Sequence, residues 1–152
     1  MNSCNNVKFN LKQEDFFDNE TSIEQKYFYE KYYGKSIQEI SRILADEEPI
    51  MFMHDLFEQK TKICSYYFLA LALFMFENIN NRYLKPEVDV VFSGLPSLLS
   101  TKLDKCMRYE HFHKCIIKYI KWSILYAPLP YKEKYKKLDK IIKGLIYEKT
   151  QK

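Results

Sequence analysis

Three glycines and five prolines in 152 residues leave little material for tight turns, which disfavours a many-stranded sandwich and favours helices. The same scarcity removes any phosphate-cradling loop. Neither GxGxxG nor GxxxxGKS/T occurs, and the HExxH and GxSxG signatures of metallopeptidases and serine hydrolases are missing as well. Nucleotide-dependent enzymes are the class this excludes most strongly. Arginine is also rare, at Arg42, Arg82 and Arg108 only, whereas reading of base edges relies on the bidentate guanidinium. The four cysteines, Cys4, Cys64, Cys106 and Cys115, show no CxxC spacing and read as reduced thiols. No apolar run reaches the roughly 20 residues of a membrane span. The longest, residues 63–76, has fourteen and is bounded by Lys60, Lys62 and Glu77. The opening MNSCNNVKFN lacks the basic region and apolar stretch of a secretion signal. The expected location is the cytoplasm, with no membrane partner.

What the chain has in abundance is aromatic side chains and a division of charge. Thirteen Tyr, eleven Phe and one Trp bring the aromatic share to a high 16%, and 152 residues are long enough for a single core without disulfides or metal. Residues 1–59 hold six Lys and Arg against twelve Asp and Glu, a balance of −6; residues 60–152 hold eighteen against eight, a balance of +10. A charged face steers encounter and rejects wrong partners, so this division speaks to binding more directly than any motif.

Helix signals follow one another along the chain. Residues 1–20 are polar and aperiodic, an expected flexible or loosely packed arm pinned by Phe16 and Phe17. Thr21-Ser22-Ile23-Glu24 offers a capping box for a helix to about Tyr33, which Gly34 is placed to end. Ser36-Ile37-Gln38-Glu39 repeats the box, and Ile37, Ile40, Ile43 and Leu44 form an apolar stripe. Pro49 suits the first turn of a further helix, with a break expected near residues 59–61 before a segment that is hydrophobic on all sides. Residues 78–100, punctuated by Pro86, Gly94 and Pro96, are expected to be irregular or a short helix. Ser100 is the expected N-cap of a helix to about Tyr126, and Ala127-Pro128-Leu129-Pro130 separates it from a lysine-rich helix from Tyr131 to about Glu148. The predicted fold is all-α: one domain over residues 21–150, with about five to seven helices around a buried central helix at about 62–77.

Few constellations carry chemistry. His111 and Cys115, spaced by four, share a helix face as paired ligands do, and Cys106 with His113 forms a second pair on another face. With the pairs divided in this way, neither a metal site nor a cofactor is expected. His111 beside Cys115 also lacks the glycine elbow and oxyanion loop of a Cys-His nucleophile. His54 and Asp55 are adjacent in sequence and so diverge by about 100° on a helix. The C-terminal segment Tyr131-Lys132-Glu133-Lys134-Tyr135-Lys136-Lys137 interleaves lysine and tyrosine, as nucleic-acid binders do, which leaves a nucleic-acid-binding regulator as an alternative.

Together these features predict a non-catalytic binding protein. Asp46, Glu47, Glu48, Asp55 and Glu58 are the expected docking carboxylates for a basic surface on another protein. Tyr29, Tyr32 and Tyr33, with Tyr27 beside them, are the expected aromatic anchors. Small cytoplasmic helical proteins without catalytic motifs include bacterial immunity proteins, which neutralise a cognate toxin; a nuclease toxin would present the basic surface required. A helical adaptor that takes an amphipathic peptide in an apolar groove beside the 63–76 segment is a further alternative.

Overall fold

A computed structural model describes residues 10–150, with side chains to Glu148; the part of the expected N-terminal arm at residues 1–9, with Cys4, lies outside the described residues. Seven α-helices and no strand are present among the described residues: α1 (Ile23–Tyr32), α2 (Ile37–Asp46), α3 (Pro49–Leu56), α4 (Thr61–Asn78), α5 (Lys85–Cys106), α6 (Glu110–Tyr126) and α7 (Leu129–Thr150). Single 3-10 turns at Gln13–Asp15 and Arg82–Leu84 precede α1 and α5. The chain is an all-α bundle, and no described helix is long and apolar enough to cross a membrane.

The bundle is organised by α4. From Ile63 to Met75 every side chain except that of Tyr66 is buried, and α2, α3, α5 and α6 pack around this helix. Each large apolar side chain buried in this way contributes about 1.5–3 kcal/mol, so the helix that the sequence marks as apolar on all sides is the energetic centre. Helices of eight to ten residues, such as α1, α2 and α3, are shorter than the about 12–15 needed for stability alone, so packing holds them. The aromatic excess forms two connected clusters along α4. Phe16, Phe28, Tyr32, Phe52 and Tyr67 gather towards α1 and α3. Phe68, Phe112, Tyr119, Trp122, Phe92 and Tyr135 gather towards α5, α6 and α7.

The second capping box is as expected: Ser36 Oγ accepts from Glu39 N at 3.1 Å, and α2 stops at Asp46. Gly34 takes φ +82°, the left-handed conformation that ends α1. The first box is displaced by one residue. Ser22, not Thr21, caps α1 and exchanges hydrogen bonds with Gln25 at 3.1 Å, while Thr21 Oγ1 donates to Asp18 O. Pro49 opens α3, as its position predicts.

The larger departure is α5. Residues 85–106 form one continuous helix that runs through Gly94 and Pro96, and Ser100 lies inside it, its hydroxyl donating to Ser97 O at 2.7 Å instead of capping a helix. Pro96 has no N–H to offer the carbonyl of Phe92, four residues earlier, and a buried carbonyl without a donor is costly. Tyr135 of α7 supplies the donor: its fully buried hydroxyl reaches Phe92 O at 2.8 Å. Gly94 serves close approach, since a Cβ there would lie 3.1 Å from Met53 Cε of α3. Sequence punctuation that normally ends helices is therefore absorbed by tertiary contacts. The helix expected from Ser100 to Tyr126 is instead split by the turn at residues 107–109 between α5 and α6.

Residues 10–20 are fastened to the bundle. Phe16 is fully buried among Tyr29, Tyr33 and Tyr67, and Asp15 and Asp18 pair with Lys62 and Lys60 at 3.0 and 3.8 Å.

Candidate functional site

Two short helices create the site. On α1, Ile23, Tyr27 and Lys31 recur every four residues and so stand in one row, with Glu24 beside the first. On α3, Glu48, Met51, Phe52 and Asp55 follow the same periodicity. Because α1 packs against α3, the two rows line a groove of about 600 Å³, to which Glu47 also contributes and whose buried side chains are Tyr32 and Phe52. Part of its apolar lining is exposed: Ile23 is 82% accessible, Met51 54% and Tyr27 50%, and none of the described residues covers them. Four carboxylates, Glu24, Glu47, Glu48 and Asp55, stand against one cation, Lys31.

The electrostatics follow from this crowding. Partial burial raises the Asp55 carboxyl above its usual range, and the nearby carboxylates of Glu58 and Glu24 push it further. Lys31 is raised instead, chiefly by its hydrogen-bonded ion pair with Glu47 and further by Tyr27, whose hydroxyl lies 3.2 Å from Nζ. Burial pushes the Tyr32 hydroxyl up to about 12. A second groove, of about 460 Å³, adjoins the first and shares Glu47, Glu48 and Met51 with it; Asp46 and Glu87 add two further carboxylates. One oxygen of Glu87 is buried there with no hydrogen-bond partner among the described residues. The turn between α2 and α3 is thus an acidic ridge with an apolar groove on either side.

Of the residues expected to dock a partner, Glu47, Glu48, Asp55 and Tyr32 line the first groove, together with Tyr27, and Asp46 lines the second. Glu58 is exposed in the turn after α3, close enough to act on Asp55 through charge. Tyr29 and Tyr33 stand elsewhere. They stack on each other at 4.7 Å and hold Phe16 and Phe17 of the N-terminal segment. Sequence reasoning missed Ile23, Glu24, Lys31 and Met51; the four-residue recurrence of Ile23, Tyr27 and Lys31 was the available signal.

The remaining candidates resolve as follows. The Nε2 of His111 lies 3.2 Å from Ser65 Oγ and its ring 3.8 Å from that of Tyr66, a half-buried setting that lowers its pKa to about 4 by desolvation. Cys64 and Cys106 are buried side by side. The Cys64 thiol is held well above its ordinary value, first by its hydrogen bond with Cys106 and then by burial. Among the described residues no group of three or more His, Cys, Asp or Glu side chains is arranged to hold a metal ion. On α7, Tyr135 is turned into the core, Lys136 and Lys143 pair with Glu133 and Asp139 at 3.0 and 2.8 Å, and the Lys134 ammonium sits over the Tyr131 ring. The two parts of the chain that differ in charge are not kept apart in the fold: α4 and α5 pack against α2 and α3, and Lys60 and Lys62 pair with Asp18 and Asp15.

Comparison with protein-family models, with curated proteins and with solved structures finds no match.

Proposed function

We propose that this chain is a non-catalytic cytoplasmic inhibitor that covers a basic surface of another protein with the acidic, apolar-lined groove between α1 and α3. In its most specific form it is a bacterial immunity protein, and its partner is a toxin, such as a nuclease, whose substrate-binding surface is basic. The observation that carries the proposal is the coincidence in one groove of exposed apolar side chains with four carboxylates against a single lysine. Apolar anchors supply affinity at the centre of an interface, and carboxylates around them supply register and a fast encounter. Asp55 adds support, because a carboxyl whose ionised form is disfavoured in the free protein gains from a cation brought by a partner.

The test is association with the partner captured by the intact chain from cells that express it. Reversing Glu48 and Asp55 to lysine should lower the association rate by at least tenfold at low salt, with the loss shrinking as ionic strength rises. Unchanged kinetics would remove the groove from the mechanism. If the partner is a toxin, co-expression of the chain should relieve the growth arrest and the reversed variant should not.

A further inference from the structure

The cation in the groove is held in a defined way. Lys31 Nζ touches Glu47 Oε2, lies 3.2 Å from Tyr27 Oη, and stands 5.5 and 5.6 Å from the ring centroids of Tyr27 and Tyr32. A carboxylate and the Tyr27 hydroxyl accept hydrogen bonds from the ammonium, with the Tyr32 ring beside it, a set of groups whose chemistry suits a lysine. Here the occupant is the protein's own side chain, only 29% accessible, in a groove whose other charged residues are all acidic. We propose that the Tyr27–Tyr32–Glu47 cage is the slot for a lysine ammonium of a basic protein segment, and that Lys31 fills this slot until the partner's lysine displaces it. The proposal rests on the groove being the docking surface and names the side chain that enters it.

In the exchange like replaces like. An exposed lysine–carboxylate pair and a cation–π contact are each weak, and the incoming ammonium remakes both, so displacement costs little beyond freeing a flexible side chain. The consequence runs against intuition for a binding site. Removing the Lys31 ammonium frees the slot of its competing cation and should tighten binding of a lysine-bearing ligand by about tenfold.

The probe is a fluorescently labelled amphipathic peptide with leucines at helical spacing and lysines between them, read by anisotropy against the full chain. Lys31→Met keeps the stem and removes the charge. Lys26→Met makes the same change of net charge from an exposed site on the same helix, outside the groove lining. Lys31→Met is expected to bind about tenfold more tightly than the wild type and Lys26→Met to stay within about twofold of it. In the same titration the ring resonances of Tyr27 and Tyr32 should shift. Equal affinities for the two methionine variants would overturn the slot. A counterpart peptide with glutamate in place of lysine that binds as well would overturn it too, by showing an apolar ligand indifferent to charge. The triple reversal Glu24→Lys, Glu48→Lys and Asp55→Lys separates the two levels. If it abolishes binding while the methionine variants are alike, the groove stands and the slot falls; if it changes nothing, both fall. Lys31→Gln, with melting curves for every variant, guards against a folding artefact.

Discussion

Replacing Tyr135 by Phe deletes one oxygen atom and leaves the ring in place, yet it should cost more than a typical surface substitution. The Tyr135 hydroxyl is buried and donates to the Phe92 carbonyl at 2.8 Å, where Pro96 cannot donate. Without it a buried carbonyl goes unpaired, a loss of about 1–3 kcal/mol. In a domain of this size that amounts to about 2–4 °C of melting temperature per kcal/mol. The decisive form of the experiment is a double-mutant cycle with Pro96→Ala. Alanine at 96 restores an N–H four residues after Phe92, so in that background Tyr135→Phe should cost at most half as much, a coupling of about 1 kcal/mol. Urea unfolding followed by far-ultraviolet circular dichroism gives the four free energies. The cycle cancels every other consequence of losing the hydroxyl, so an equal cost of Tyr135→Phe in both backgrounds would refute the idea that α7 completes the hydrogen bonding of α5.

Other positions give sharp expectations. Asp55 has its pKa raised by folding, so its contribution to stability is fully present below the unfolded value and is lost as pH rises through the folded one. Asp55→Asn should therefore melt about 1–2 °C higher than the wild type at pH 7 and equal to it near pH 3, a difference that thermal melts across pH will show. His111 is lowered to about 4, so the folded protein resists protonating it. Stability should fall between pH 6.5 and about 4 by roughly 1–2 kcal/mol after allowance for solvent screening at this half-buried site, and His111→Gln should flatten that part of the curve. Gly34→Ala should lose about 1 kcal/mol although a Cβ meets nothing there, because the cost is the positive φ alone; Gly144→Ala, on the exposed face of α7, should gain about 0.5–1 kcal/mol. Chemical denaturation of the two alanine variants compares them directly.

What the sequence reveals depends on how local the cause is. The Ser36 cap, the Gly34 stop, the Pro49 start and the buried α4 are legible because each is determined within one or two helical turns. The first capping box is ambiguous by one position, since Thr21-x-x-Glu24 and Ser22-x-x-Gln25 both fit the pattern and only Asp18, which accepts from Thr21, decides between them. α5 is illegible for a nonlocal reason. A proline costs about 3 kcal/mol inside an isolated helix, and the hydroxyl that makes it tolerable comes from 43 residues away. The groove falls between these cases. The carboxylates at the α2–α3 turn stand out in the sequence, whereas the row of Ile23, Tyr27 and Lys31 becomes a wall only when α1 settles against α3. Tyr29 and Tyr33 look like free anchors until Phe16 takes them.

The central claim is that a protein partner docks between α1 and α3. Its most direct test is site-specific photo-crosslinking in cells that express the chain, with p-benzoylphenylalanine placed at Met51 in the groove and, separately, at the exposed Lys137 of α7. A single discrete adduct is expected from position 51, lost when Glu24, Glu48 and Asp55 are reversed to lysine. Adducts from position 137 alone, or an adduct at 51 that survives the reversal, would contradict it.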